Sequence, residues 1–215
     1  MGKLASAIAL GAFISASPSM AEDRLPPGIW TNTEDRYFAE EEGREKPDGW
    51  GFEVRGDGTW RVITAFGQAQ SEWRTVPING LARDTDEDGN VIWTMEGSEL
   101  RKARPFTCWV SVKKFAAKPD GSADWTFANN LPMFDQGGRV LVPGNGEAPD
   151  VTIRMRNVTW AKGSRNRPSL VLYVHKDDPD RAESYSWASP DASLVGINLR
   201  WMQGSCRRMS KETGQ

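Results

Sequence analysis

The chain reads as all-β, an antiparallel β-barrel or β-sandwich that forms a single domain with one disulfide. Three observations predict this. Apolar residues recur with a period of two wherever a period is clear. Turn signals built on Asp-Gly, Pro-Gly and Gly-Gly separate these runs at short intervals. No window of helical length carries an amphipathic stripe.

The elements follow in chain order. Residues 1–21 read as an export signal. Lys3 supplies a positive start, "LASAIALGAFI" an apolar core too short to span a bilayer, and Ser19-Met20-Ala21 the small-x-small cleavage pattern. Cleavage after Ala21 leaves a mature domain of residues 22–215 with no further membrane span, placed in the periplasm or secreted. "EDRYFAEEEGREK", residues 34–46, is the best helical stretch, a short surface helix or an acidic loop. "FTCWVSV" sets Phe106, Cys108, Val110 and Val112 on one strand face. "VTIRMRNVTW" sets Ile153 and Met155 against Arg154 and Arg156. "SLVLYVH", residues 169–175, is a nearly continuous apolar run, as expected of a central strand covered on both faces. "LVGINLRW" alternates Val195, Ile197, Leu199 and Trp201 against Asn198 and Arg200. The turn signals between them are "PDGW", "GDGTW", "EDGN", "PDGSAD", "DQGG" and "PGNG". Asp-Gly recurs at Asp48, Asp57, Asp88 and Asp120, which fits a meander of similar hairpins better than a true repeat.

Cys108 and Cys206 are the only cysteines, and neither belongs to a CxxC. In an exported chain they are expected to pair as a structural staple. The bridge would close a loop of about 98 residues, worth about 4–5 kcal/mol in the chain-entropy account.

Two short stretches resemble known families. Gly28-Ile29-Trp30 resembles the Gly-x-Trp opening of the lipocalins, which are eight-stranded barrels around a small, usually apolar, ligand. The resemblance implies an Arg that packs on the Trp, a role open to Arg200. Ser98-Glu99-Leu100-Arg101 resembles the Arg-Ser-Glu-Leu-Arg strand of alginate-lyase-type jelly rolls, with Gly97 in place of the leading Arg. That resemblance implies elimination on polyuronides, with His175, Arg101 and Tyr185 as the residues to carry it. The chain contains no Gln-x-His, which the reaction uses in that family.

Several chemistries are set aside. His175 is the single histidine, so a His-rich transition-metal site is excluded. There is no Gly-x-Ser-x-Gly elbow, P-loop or Gly-x-Gly-x-x-Gly. A carboxylate-pair glycosidase leaves no sequence signature and stays open. His175 as a general base would need Asp177 or Asp178 to orient it.

Formal charge is −2 overall but unevenly spread: residues 1–100 carry −9 and residues 101–215 carry +7. Acidic and basic strands that neutralise each other explain this, as does a basic binding face. The densest basic group is Arg154, Arg156, Lys162, Arg165 and Arg167, a candidate site for a carboxylate, phosphate or sulfate. Nucleic acid is not expected for an exported chain of net negative charge. An anionic glycan or lipid head group suits the patch better, with tryptophans as sugar platforms where they are not core.

"DTDEDGN", residues 84–90, places Asp84, Asp86, Asp88 and Gly89 at positions 1, 3, 5 and 6 of a calcium loop. Met95 stands where the bidentate Glu belongs, and "NVIWTM" reads as a strand, so a helix-loop-helix hand is excluded. Calcium at Asp84, Asp86 and Asp88, completed by Glu87, Asn90 or a remote carboxylate, competes with an ordinary solvated Asp-Gly turn, and the turn is preferred. No other cofactor is expected.

The sequence therefore predicts a non-catalytic binding protein for a small or anionic ligand, with carbohydrate among the candidates. A polyuronide lyase and a structural envelope protein are the alternatives.

Overall fold

The computed structural model describes residues 24–86, 89–160 and 164–209. It is all-β, with antiparallel pairing throughout and one short helix among the described residues. A six-stranded sheet runs in the order β3 (Trp60–Val62), β2 (Gly51–Val54), β1 (Gly28–Thr31), β6 (Ser98–Ala103), β5 (Val91–Met95), β4 (Leu81–Thr85). One four-stranded sheet is ordered β12 (Ala182–Ala188), β11 (Ser169–Lys176), β10 (Val151–Val158), β9 (Gln136–Val142). The other is ordered β13 (Leu194–Asn198), β14 (Met202–Arg208), β7 (Pro105–Ala117), β8 (Ala123–Phe134). None of the three closes into a barrel. No described helix is long and apolar enough to cross a membrane.

The period of two builds the main core. Phe106, Cys108, Val110 and Val112 of β7 are all buried on one face. They join Met202 and Cys206 of β14, Val151, Ile153 and Met155 of β10, and Leu170, Leu172 and Val174 of β11 in one cluster. The two four-stranded sheets thus pack their inner faces together, as a sandwich does. Each fully buried Ile, Leu, Met or Phe contributes about 1.5–3 kcal/mol. β11 is an interior strand of its sheet, as its continuous apolar run predicts. Cys108 and Cys206 form a disulfide between directly registered positions of β7 and β14.

The alternation read through "LVGINLRW" ends sooner than predicted. β13 stops at Asn198, and Leu199 donates its N–H to the Met202 carbonyl to close a turn. Leu199 and Trp201 still pack on the sandwich core from that turn, and Arg200 is exposed in it.

Trp30, Trp60 and Trp93 are buried with Phe52, Val54, Met95 and Leu100 in a second cluster on the six-stranded sheet. The cation over the Trp30 ring is Lys102, on the adjacent strand β6, and not Arg200, which lies in the turn between β13 and β14. The predicted helical stretch is α1 (Thr33–Glu41), which starts one residue earlier and ends five residues earlier than the segment read from sequence.

"DQGG" does not make a hairpin. It is the corner at which the chain leaves β8 for β9 and so passes from one sandwich sheet to the other. Asp135 anchors the corner: its fully buried carboxylate accepts from the Arg104 backbone N–H at 2.7 Å and from Arg104 Nε at 2.6 Å. Gly137 has φ +81°, and a Cβ there would meet Thr33 Cγ2 at 2.4 Å. Only glycine fits, and its fit lets the start of α1 lie against β9.

Candidate functional site

In an antiparallel sheet, registered residues share a face. With Ile153 and Met155 turned into the core, Thr152, Arg154 and Arg156 occupy the outer face of β10. Register then composes three rows across that face. Arg139, Arg154, Tyr173 and Tyr185 form the middle row. Gln136, Arg156, Val171 and Trp187 form a second, and Leu141, Thr152 and His175 a third. The middle row crosses three strand spacings, about 14 Å.

Arg154 and Arg156 share this face but not an environment. Arg156 is 2% exposed, and its Nε and Nη2 donate to the two Glu34 carboxylate oxygens at 2.6 and 2.9 Å. The Tyr37 ring lies 3.7 Å from its guanidinium carbon. Glu34, in the first turn of α1, is itself 1% exposed. This pair joins the helix to the sandwich, so the Arg156 guanidinium is occupied internally.

Arg154 has no such partner. It is half-buried, its guanidinium lies 4.7 Å from the Tyr173 ring centre, and its buried Nε has no hydrogen-bond partner. Burial, and then the charges of Arg156 and Arg139, hold its pKa below the usual value.

His175 is 1% exposed, and neither ring nitrogen makes a well-formed hydrogen bond, the Arg181 backbone being no more than a weak partner in reach. Burial pushes its pKa down first, followed by the charges of Arg154 and Arg139, while the Arg181 backbone and Asp180 act the other way. The imidazole is therefore neutral at pH 7. The hairpin between β11 and β12 lies over this end of the face. Arg139 Nη1 donates to the Pro179 carbonyl at 3.0 Å and stands 3.8 Å from Asp180 Oδ1. Asp177 is committed to the Asp150 backbone: its carboxylate accepts from the Asp150 N–H at 3.0 Å, and its own N–H donates to the Asp150 carbonyl. Asp178 accepts from the Asp180 N–H. Neither holds the imidazole, so the Asp-oriented general base read from sequence is not formed.

The remaining predicted residues disperse. Arg165 and Arg167 are exposed in the β10–β11 loop, at the opposite end of the sheet from His175, and Lys162 lies outside the described residues. Arg101 is on β6, in the six-stranded sheet, and donates to Glu99 at 3.1 Å and to the Thr159 hydroxyl. Tyr185 does share the outer face with His175 and is 63% exposed, beside Trp187 at 71%. In the β4–β5 hairpin, Asp84 accepts from the Thr85 N–H and Asp86 from the Asn90 N–H at 2.7 Å. Asp88 lies outside the described residues. Among the described residues, no three His, Cys, Asp or Glu side chains converge as a metal site.

No family model, no curated protein and no solved structure matches this chain. Function must be read from the face itself. Its chemistry is a registered arginine pair, Arg139 and Arg154, with Tyr173 beside Arg154 on β11 and Tyr185 and Trp187 on the edge strand β12. Sequence reading missed Arg139, Tyr173 and Trp187, because their place depends on which strands pair. The one available signal was the alternation of "RVLV", which turns Arg139 away from Val140 and Val142.

Proposed function

We propose that this protein is an exported, non-catalytic binder of an acidic carbohydrate, which it holds on the outer face of the β9–β12 sheet. The observation that supports the reading is Arg154, a half-buried guanidinium with no carboxylate or hydrogen-bond partner among the described residues. Arg139 stands beside it in register, and Tyr185 and Trp187 are exposed on the neighbouring edge strand. A guanidinium pair suits a sugar carboxylate or sulfate by planar, two-point hydrogen bonding. Exposed aromatic rings suit the apolar faces of sugar rings. Export is supported by the leader pattern of residues 1–21 together with the disulfide, which persists in oxidising compartments.

Elimination is less favoured than binding. The imidazole that would take a proton is closed beneath the hairpin, and Arg101 is engaged on another sheet.

The test is calorimetric titration of the mature protein with a short oligouronate. Arg154→Gln should weaken binding by about 10- to 100-fold, the value of one charge-assisted hydrogen bond. The same mixture should develop no absorbance from unsaturated uronate. Equal affinity in wild type and Arg154→Gln defeats the assignment, and a rising absorbance replaces it with the lyase.

A further inference from the structure

Buried polar groups in folded proteins nearly always have partners, and each exception asks for a cause. Four of the five orphan atoms among the described residues lie on this one face, His175 Nδ1 and Nε2, Arg154 Nε and Gln136 Oε1, while the fifth, Asn157 Oδ1, is on the other side of β10. His175 and Arg154 are diagonal neighbours across β10 and β11, since Thr152 registers with His175 and Arg154 with Tyr173. Arg139 flanks Arg154 from β9. The arrangement sets three nitrogen-bearing groups at neighbouring positions of one face, with donors left over and too little negative charge to match them. The acid that acts most on the imidazole is Asp180 of the hairpin, opposed there by Arg154 and Arg139.

We propose that His175, Arg154 and Arg139 form one subsite for a carboxylate, and that the carboxylate binds together with a proton taken up by His175. The inference rests on the acidic-carbohydrate reading above. A carboxylate accepts up to four hydrogen bonds. Arg154 Nε and a His175 N–H can both be satisfied by it, which removes their orphan status. Its negative charge offsets the repulsion that Arg154 and Arg139 exert on an imidazolium. In the empty protein that repulsion, with burial, keeps the imidazole neutral. Entry requires the hairpin of residues 177–181 to lift. The hairpin contacts on this side are Arg139 to the Pro179 carbonyl and to Asp180, and an incoming anion competes for that same guanidinium.

Proton uptake makes affinity depend on pH. A carboxylate ligand stays ionised above pH 5, so the dependence reports the protein. The experiment is titration with a tri-uronate at pH 8 and pH 5, on wild type and His175→Gln. A second readout is wild-type titration at pH 6 in Bis-Tris and in imidazole, whose different ionisation heats count protons taken up without any variant. The expected result is tenfold or more tighter binding at pH 5, with net proton uptake in wild type and a flat profile in His175→Gln. Binding that depends on Arg154 but shows neither pH dependence nor proton uptake overturns the subsite and leaves the carbohydrate reading standing. A pH slope that survives in His175→Gln also overturns it. Absence of binding at both pH values defeats both.

Discussion

Glu34→Ala tests whether the Arg156 guanidinium belongs to the architecture or to the ligand. Glu34 and Arg156 are 1% and 2% exposed and share two hydrogen bonds of 2.6 and 2.9 Å. Removing the carboxylate leaves a buried guanidinium with the Tyr37 and Tyr173 side chains beside it and without its Glu34 partner. Breaking a buried pair from one side costs about 3–5 kcal/mol, because the surviving charge has no compensation. That is a large part of a total stability of about 5–15 kcal/mol. For a domain of this length it lowers Tm by about 6–20 °C. The assay is urea unfolding followed by tryptophan fluorescence. Removing both charges, with Glu34→Leu and Arg156→Met together, should recover most of the loss. The double variant should also bind oligouronate with wild-type affinity. A loss under about 1 kcal/mol in Glu34→Ala would refute the reasoning, as would a double variant that folds but no longer binds.

Reduction of Cys108–Cys206, or the double change to Ser, should cost about 4–5 kcal/mol in urea unfolding, since it frees a loop of 98 residues in the unfolded chain; an unchanged midpoint contradicts this. Millimolar calcium should leave Tm unchanged within about 1 °C against chelator, because Asp86 already accepts from Asn90. A site at a hundred times its dissociation constant would add about 2.7 kcal/mol, or roughly 5–10 °C, and loss of that rise in Asp86→Ala would establish calcium at "DTDEDGN". In the absence of ligand, His175 should make the fold less stable toward acid. Its folded pKa lies below the ordinary 6.5, so the unfolded chain takes the proton first. Stability present above pH 6.5 is then lost as pH falls, by at most about 1.4 kcal/mol per pH unit. His175→Gln should flatten the urea midpoint between pH 7 and 5 relative to wild type, and parallel profiles would refute this.

Strand faces were legible because their signal is local. A two-residue period already separates Phe106, Cys108, Val110 and Val112 from their neighbours, and all four are buried. The disulfide followed from cysteine number and the export pattern read in residues 1–21. Strand pairing was not legible, since register is decided by residues far apart in sequence. That is why Arg139, some fifteen residues before Arg154, was passed over while Arg165 and Arg167 were grouped with it. Alternation also assigned Arg154 and Arg156 one fate because they share a face. What divides them is Glu34, delivered by a helix whose approach depends on Gly137 having no side chain. A charge partner 122 positions away leaves no trace in local pattern.

The orphan groups carry a stability argument of their own. A buried donor or acceptor without a partner costs about 1–3 kcal/mol, and this face holds several within three adjacent rows of side chains. A core histidine kept for packing alone would be expected to hydrogen-bond through at least one nitrogen, as buried imidazoles have a donor and an acceptor to place. His175 forms no well-made hydrogen bond through either, with only the Arg181 backbone in weak reach, although it is 1% exposed. An apolar residue of similar volume, such as His175→Leu, should therefore raise the stability of the empty protein and weaken its grip on a carboxylate. Those two changes in opposite directions are the signature of a group retained for binding at a cost to folding. Gain in stability with full affinity would instead make His175 a packing residue, and the outer face would then hold its anion through Arg139 and Arg154 alone.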